Sequence, residues 1–170
     1  MEEQKLKDDD VDAIVNAYSD LIYRLAFANV KSGTNADDIY QDVFLRYIKT
    51  IKKGTSFESE EHRKAWFIRV TINCCKSFVS SSWFRRTTEL NDNINDSYDE
   101  EVDDKIDFHN ALQKIPQKYR TVIHLFYFEQ LSIEQISRAL DQKSSTVRTQ
   151  LTRARSLLKD ILKGEYFYED

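Results

Sequence analysis

Three glycines and one proline in 170 residues leave little material for tight turns, which argues for a largely helical chain. The two cysteines, Cys74 and Cys75, are neighbours within an apolar helical stretch. They are too close for an ordinary disulfide with each other and lack the spacing of a zinc site, so core packing is the favoured reading. His62, His109 and His124 are scattered, with no carboxylate or Cys partner at motif spacing, so no metal site is expected. No apolar run approaches about twenty residues. The opening Met-Glu-Glu-Gln-Lys-Leu-Lys-Asp-Asp-Asp is not a secretory leader, so a cytoplasmic protein with no stable membrane insertion of its own is expected. There is also no phosphate-cradling Gly loop and no nucleophile beside a base, so neither an enzyme nor a cofactor is expected.

Charge is what the chain has in quantity: 25 basic against 29 acidic side chains, for a net −4. The two signs are segregated, so a nucleic-acid-binding face can coexist with an acidic total. The most informative stretch is Leu131 to Lys163. Ser132 followed by Gln135 has the form of a capping box, and Ile133, Ile136 and Leu140 recur at helical spacing. After a polar break, Ser144 or Ser145 caps a second helix with the apolar stripe Val147, Leu151, Ala154, Leu158 and Ile161. Two short helices joined so tightly form a helix-turn-helix. At about 100° per residue the stripe leaves Arg148, Thr149, Thr152 and Arg153 pointing outward, with Ser145 at the N-terminal end. A major groove is read by such residues: Arg forks to guanine, while Ser and Thr suit phosphates and base edges. An ordinary helical hairpin with a solvated basic face is the alternative.

Upstream, Val11, Ile14, Val15, Tyr18, Leu21, Ile22, Leu25 and Ala26 predict one long or two consecutive helices ending near Lys31, where Gly33 breaks the chain. Asn35 is the expected N-cap of a helix carrying Ala36, Ile39, Tyr40, Val43, Phe44, Tyr47, Ile48 and Ile51 and stopped by Gly54. Residues 55–61 read as a loop, and a further helix starts at Lys64 or Ala65 and runs to about Trp83. From Arg63 to Arg86 every charged residue is basic, including Lys64, Arg69 and Lys76. Such a face suits phosphates and unstacked bases, or is simply solvated. Between Thr87 and Asp107 nine acidic residues face only Lys105, the composition of a flexible linker. Beyond it, Pro116 opens a helix with Tyr119, Val122, Ile123 and Phe126 that should pack on the helix-turn-helix. The expected fold is all-α: two small helical domains, 1–86 and 108–163, joined by the acidic linker 87–107 and followed by an acidic tail, 164–170. Roughly twenty linker residues reach roughly 60 Å, enough to place both basic domains on one duplex.

Taken together, four segments resemble the sigma-70 family of bacterial RNA polymerase, in its extracytoplasmic-function type that keeps only regions 2 and 4. Ala36-Asp37-Asp38-Ile39-Tyr40-Gln41-Asp42-Val43-Phe44 and Ala65-Trp66-Phe67-Ile68-Arg69-Val70-Thr71-Ile72-Asn73 look like region 2 signatures. Ile115-Pro116-Gln117-Lys118-Tyr119-Arg120 looks like the opening of region 4, and Thr146 to Arg155 looks like its recognition helix. The resemblance implies an alternative sigma factor directing the polymerase core to −10 and −35 promoter elements. Asp38, Gln41 and Asp42 would dock on the clamp helices of the largest subunit. Arg63, Lys64, Arg69, Asn73 and Lys76 would hold the −10 element, Asn73 on an exposed base edge, with Trp66 either core or stacking platform. Arg148 and Thr152 would face −35 bases, and Ser145, Thr149 and Arg153 mainly phosphates. An anti-sigma factor covering both domains is the further partner implied. Asn73 is followed by Cys-Cys-Lys-Ser-Phe and Gln150 stands where a second Arg is common, so promoter sequence does not carry over. Two rivals compete: a stand-alone dimeric regulator binding a palindrome, and a helical adaptor acting only through protein contacts.

Overall fold

The computed structural model describes residues 10–81 and 104–166. The expectations for the acidic linker up to residue 103, for Trp83, Arg85 and Arg86, and for the last four tail residues lie outside them.

Helix α1, Val11–Val30, is a single helix started by Asp10, whose carboxylate accepts from the Ala13 N–H at 3.0 Å. Its end is set by Lys31, not by Gly33: Lys31 takes a left-handed φ of 58° and donates its N–H to the Phe27 carbonyl at 2.9 Å. The reversal comes two residues early, so Ser32 rather than Asn35 caps α2, Gly33–Lys52, and Gly33 is its first residue. Helix α3, Glu60–Ser80, begins four residues before the expected Lys64. The Ser59 hydroxyl accepts from the His62 N–H at 3.1 Å, and Glu60 and Glu61 place negative charge on the exposed N-terminal amides. These three helices close around Phe67, whose ring lies 4.6 to 5.7 Å from those of Tyr18, Phe44 and Tyr47. Trp66 packs edge-on against Tyr47 and Phe67, on the core side of the choice left open by sequence.

The second group comprises α4, Asp104–Lys114, α5, Gln117–Ile123, α6, Ile133–Leu140, and α7, Ser144–Tyr166. Pro116 caps α5 rather than opening it. A wider π-turn, His124–Phe128, follows α5 and brings His124 and Glu129, five residues apart, within 3.2 Å. Helix α6 carries the expected capping box, Ser132 with Gln135. Asp141, at φ 53°, ends α6, and the Gln142 N–H reaches back to the Ser137 carbonyl at 3.0 Å. That closed turn leaves only Gln142 and Lys143 before α7, whose Val147, Leu151, Ala154 and Leu158 are buried.

The two groups pack against each other, α3 on α6 and α1 on α5. Arg24 donates to both carboxylate oxygens of Glu129, at 3.0 and 3.1 Å, and Lys31 Nζ donates to the Gln113 carbonyl at 2.9 Å. Thr121 and Asn29 meet at 3.4 Å in the buried part of this seam.

Candidate nucleic-acid interface

Helix α7 presents its expected face without exception. Ser145, Arg148, Thr149, Thr152 and Arg153 are all exposed, because the buried stripe from Val147 to Leu158 fixes the rotation of the helix. Thr149 and Thr152 donate their hydroxyls to the carbonyls four residues back, Ser145 and Arg148, each at 3.0 Å. The oxygens keep acceptor capacity and the side chains are held close to the helix. Arg148 pairs with Glu134 at 3.6 Å with both side chains more than half exposed, a pair too weak to compete with a phosphate or a guanine edge. Arg155 is different: its Nε donates to the Tyr127 hydroxyl at 2.7 Å and its guanidinium lies over the Phe126 and Tyr127 rings. It braces α7 on the segment after α5.

On α3, Arg69, Asn73 and Lys76 are exposed and share one stripe at spacings of four and three. They line a cleft of about 130 Å³ together with Gln117, Lys118 and Gln142 from the second group, so six side chains with cationic or amide donors converge there. Arg69 is engaged: Nε and Nη2 donate to the Ala139 and Arg138 carbonyls at 3.2 and 2.7 Å. Lys64 is half-buried, at the edge of a larger cleft of about 510 Å³ with His62, Trp66 and Arg138.

Arg63 corrects the sequence reading. It is 1% exposed, ion-paired with Glu60, and its guanidinium sits 5.4 Å from the Phe57 ring. The Tyr18 hydroxyl donates to the same Glu60 at 2.8 Å; burial and this bond push its pKa up. The earlier start of α3 is the cause: in the first turn of α3, position 63 faces α1 rather than solvent. Arg63 therefore holds the fold and is not available to phosphates.

A third patch lies on α2. Asp38, Gln41 and Asp42 are on its outward side, Asp42 partly buried. Asp42 accepts from Arg46 Nε at 3.3 Å and from the Cys74 thiol at 3.4 Å. Burial first, and then the Asp42 carboxylate, push the Cys74 thiol up to about 11, so it stays a neutral donor. Leu45 joins this face at 57% exposure, three residues beyond Asp42. It was missed because it falls outside the core stripe, yet an apolar residue on an otherwise polar helical face was the available signal.

Near the seam, burial tends to raise the Glu129 carboxyl, but hydrogen bonds from His124 and Arg24 and the Arg24 charge outweigh it and hold the group at about 2. Among the described residues no group of three or more His, Cys, Asp or Glu could hold a metal ion, and no helix is long and apolar enough to cross a membrane.

Residues 14–85 match the family described as Sigma-70 region 2, and residues 105–158 match Sigma-70, region 4. The chain is 28% identical over 146 residues to the RNA polymerase sigma factor SigV of Bacillus subtilis, covering 84% of this chain and 85% of that protein. It is 27% identical over 179 residues to the ECF RNA polymerase sigma factor SigW of the same organism, covering 94% of each. Among solved structures, the sigma factor RpoE of Bartonella quintana, in complex with the anti-sigma factor NepR, aligns with a TM-score of 0.68 at 20% identity, over 91% of this chain and 97% of that one. At that identity the likeness speaks for the fold.

Proposed function

Because this chain belongs to the sigma-70 family, as an extracytoplasmic-function sigma factor that directs RNA polymerase to promoters, we propose that it does so through three named surfaces. Arg148 and Thr152 on α7 face −35 bases in the major groove, while Ser145, Thr149 and Arg153 hold the flanking phosphates. Arg69, Asn73 and Lys76 on α3, with Lys64 at its edge, hold the −10 element, Asn73 on a base edge and the cations on phosphates. Asp38, Gln41 and Asp42, with Leu45 as the apolar contact, dock on basic clamp helices of the polymerase's largest subunit.

The observation that carries this reading is the outward face of α7, where all five polar residues are exposed and the Arg148–Glu134 ion pair is weak and exposed. The chain supplies specificity and no chemistry of its own, and it works in the cytoplasm, where the polymerase is. RpoE of Bartonella quintana is bound by an anti-sigma factor; an inhibitor of that class is proposed for this protein as well. The test is run-off transcription with purified core polymerase on a library of promoter fragments. Specific transcripts should require this protein and fall about 10- to 100-fold with Arg148→Ala. If core gains nothing while the protein alone shifts duplex DNA, the stand-alone regulator is the correct reading.

A further inference from the structure

Cys74 and Cys75 belong to neither nucleic-acid surface, and the fold treats the two differently. On α3 the side chains of Phe67, Ile68, Thr71, Ile72 and Cys75 are buried at spacings of three and four, which fixes the rotation of the helix. That rotation puts Cys75 in the core, at 0% exposure, and turns Cys74 toward α2, where its thiol donates to Oδ2 of Asp42 at 3.4 Å. The other carboxylate oxygen, Oδ1, accepts from Arg46 Nε at 3.3 Å. These two donors are not equivalent. The Arg46 and Asp42 side chains are 55% and 48% exposed, and a pair of that kind one helical turn apart exchanges readily with water. Cys74 is 5% exposed and sits on a helix packed against α2, so its donor cannot swing away. A neutral thiol suits the position: a thiolate would repel the carboxylate, and burial with Asp42 beside it keeps the proton on sulfur.

We propose that Cys74 is a positioning residue for polymerase docking, a fixed donor that aims the Asp42 carboxylate outward from α2, a role that rests on the docking reading of Asp38, Gln41 and Asp42. Each carboxylate oxygen has two acceptor sites, so Oδ1 and Oδ2, engaged once apiece, both keep a site for an Arg or Lys of the partner. A half-exposed Asp with no fixed donor samples several rotamers. Holding one of them before contact removes an ordering cost from association. A guanidinium of the basic clamp can displace the exposed Arg46 and leave the buried thiol in place, because the new charge-assisted bond replaces only a weak one. Alanine at this position would leave Oδ2 without its fixed donor, whereas serine keeps a hydroxyl donor there.

The test is competition of the unlabelled full chain against a labelled reference sigma factor for purified core polymerase. DNA is left out, which keeps the neighbouring Asn73 from the readout. The variants are Cys74→Ala, Cys74→Ser, Asp42→Asn, and Asp42→Asn combined with Cys74→Ala. Cys75→Ala is the packing control, and urea unfolding of each variant is measured alongside. Cys74→Ala should weaken core binding about three- to tenfold, the range set by ordering one side chain, while Cys74→Ser should stay close to the parent. Cys75→Ala should lower the unfolding midpoint and leave the affinity unchanged. In the Asp42→Asn background, Cys74→Ala should cost nothing further, because no carboxylate is left to aim. A thiol that serves only packing would cost the same in both backgrounds, and that result overturns the proposal. Parent affinity in Cys74→Ala overturns it as well, as does an equal loss in Cys74→Ser or in Cys75→Ala. The docking reading is judged separately. Weaker binding in Asp42→Asn keeps that reading whichever way Cys74→Ala falls, and unchanged binding removes it together with the role of Cys74.

Discussion

Acid should loosen the seam between the helical groups through Glu129. Its side chain is 7% exposed and its carboxyl sits at about 2, against an ordinary 4.5. A group whose folded pKa is depressed adds stability above its unfolded pKa, and that stability is lost as pH falls through the folded one. At about 1.4 kcal/mol per pKa unit the difference corresponds to roughly 3 kcal/mol. Arg24 is half exposed, however, and solvent screens its share, so about 1 to 2 kcal/mol is the reasonable expectation near neutral pH. The contribution should be intact down to about pH 5 and more than half lost by about pH 3. Urea unfolding of the parent and of Arg24→Ala, followed by circular dichroism from pH 7 downward, isolates the Arg24 share. The variant should be less stable by about 1 kcal/mol at pH 7, and the two curves should converge as Glu129 protonates. A gap that is constant or widens with acid refutes the assignment of the Glu129 shift to this pair.

Arg148→Ala should leave the melting temperature unchanged and reduce promoter-dependent run-off transcription about 10- to 100-fold, the value of one bidentate base contact. Arg63→Ala should destabilise the first helical group by about 2 kcal/mol in chemical denaturation, because it empties a buried site packed against the Phe57 ring and removes the cation paired with the part-exposed Glu60. Lys76→Ala should be neutral for stability and weaken −10 engagement in open-complex assays; the reverse pattern for the two variants contradicts the structural role given to Arg63. Leu45→Glu should weaken association with core polymerase about tenfold, read by competition against another sigma factor, with no change in fold because the side chain is already solvated.

The helix-turn-helix was legible except at the start of α7, which has Ser144 as its first residue and closes its first turn on the Lys143 carbonyl instead of following a Ser144 or Ser145 cap, because what specifies it is local. The Ser132–Gln135 box, the Asp141-Gln142-Lys143 break and the Val147-to-Leu158 stripe lie within thirty residues of one another, and the stripe alone sets which way Arg148 and Thr152 point. The same holds for the stripe on α2. Helix ends were less legible where several caps compete: Ser32 displaced Asn35 because Lys31 took the left-handed turn, and Ser59 started α3 early because its hydroxyl and two acidic neighbours met the free amides. That shift carried Arg63 inward, where a run of basic residues read along the sequence gives no hint of burial.

Sequence by itself thus determined the elements, their amphipathic faces and the family, since helical periodicity and capping are encoded within one or two turns. Only tertiary structure decided that Arg63 is a core cation, that Asp42 bonds the Cys74 thiol, and that Arg69 caps α6. These depend on side chains 32 to 70 residues apart being brought within hydrogen-bond distance, or on a rotation fixed by packing against α1. Charge can be counted along a chain, but its partner is chosen by the fold.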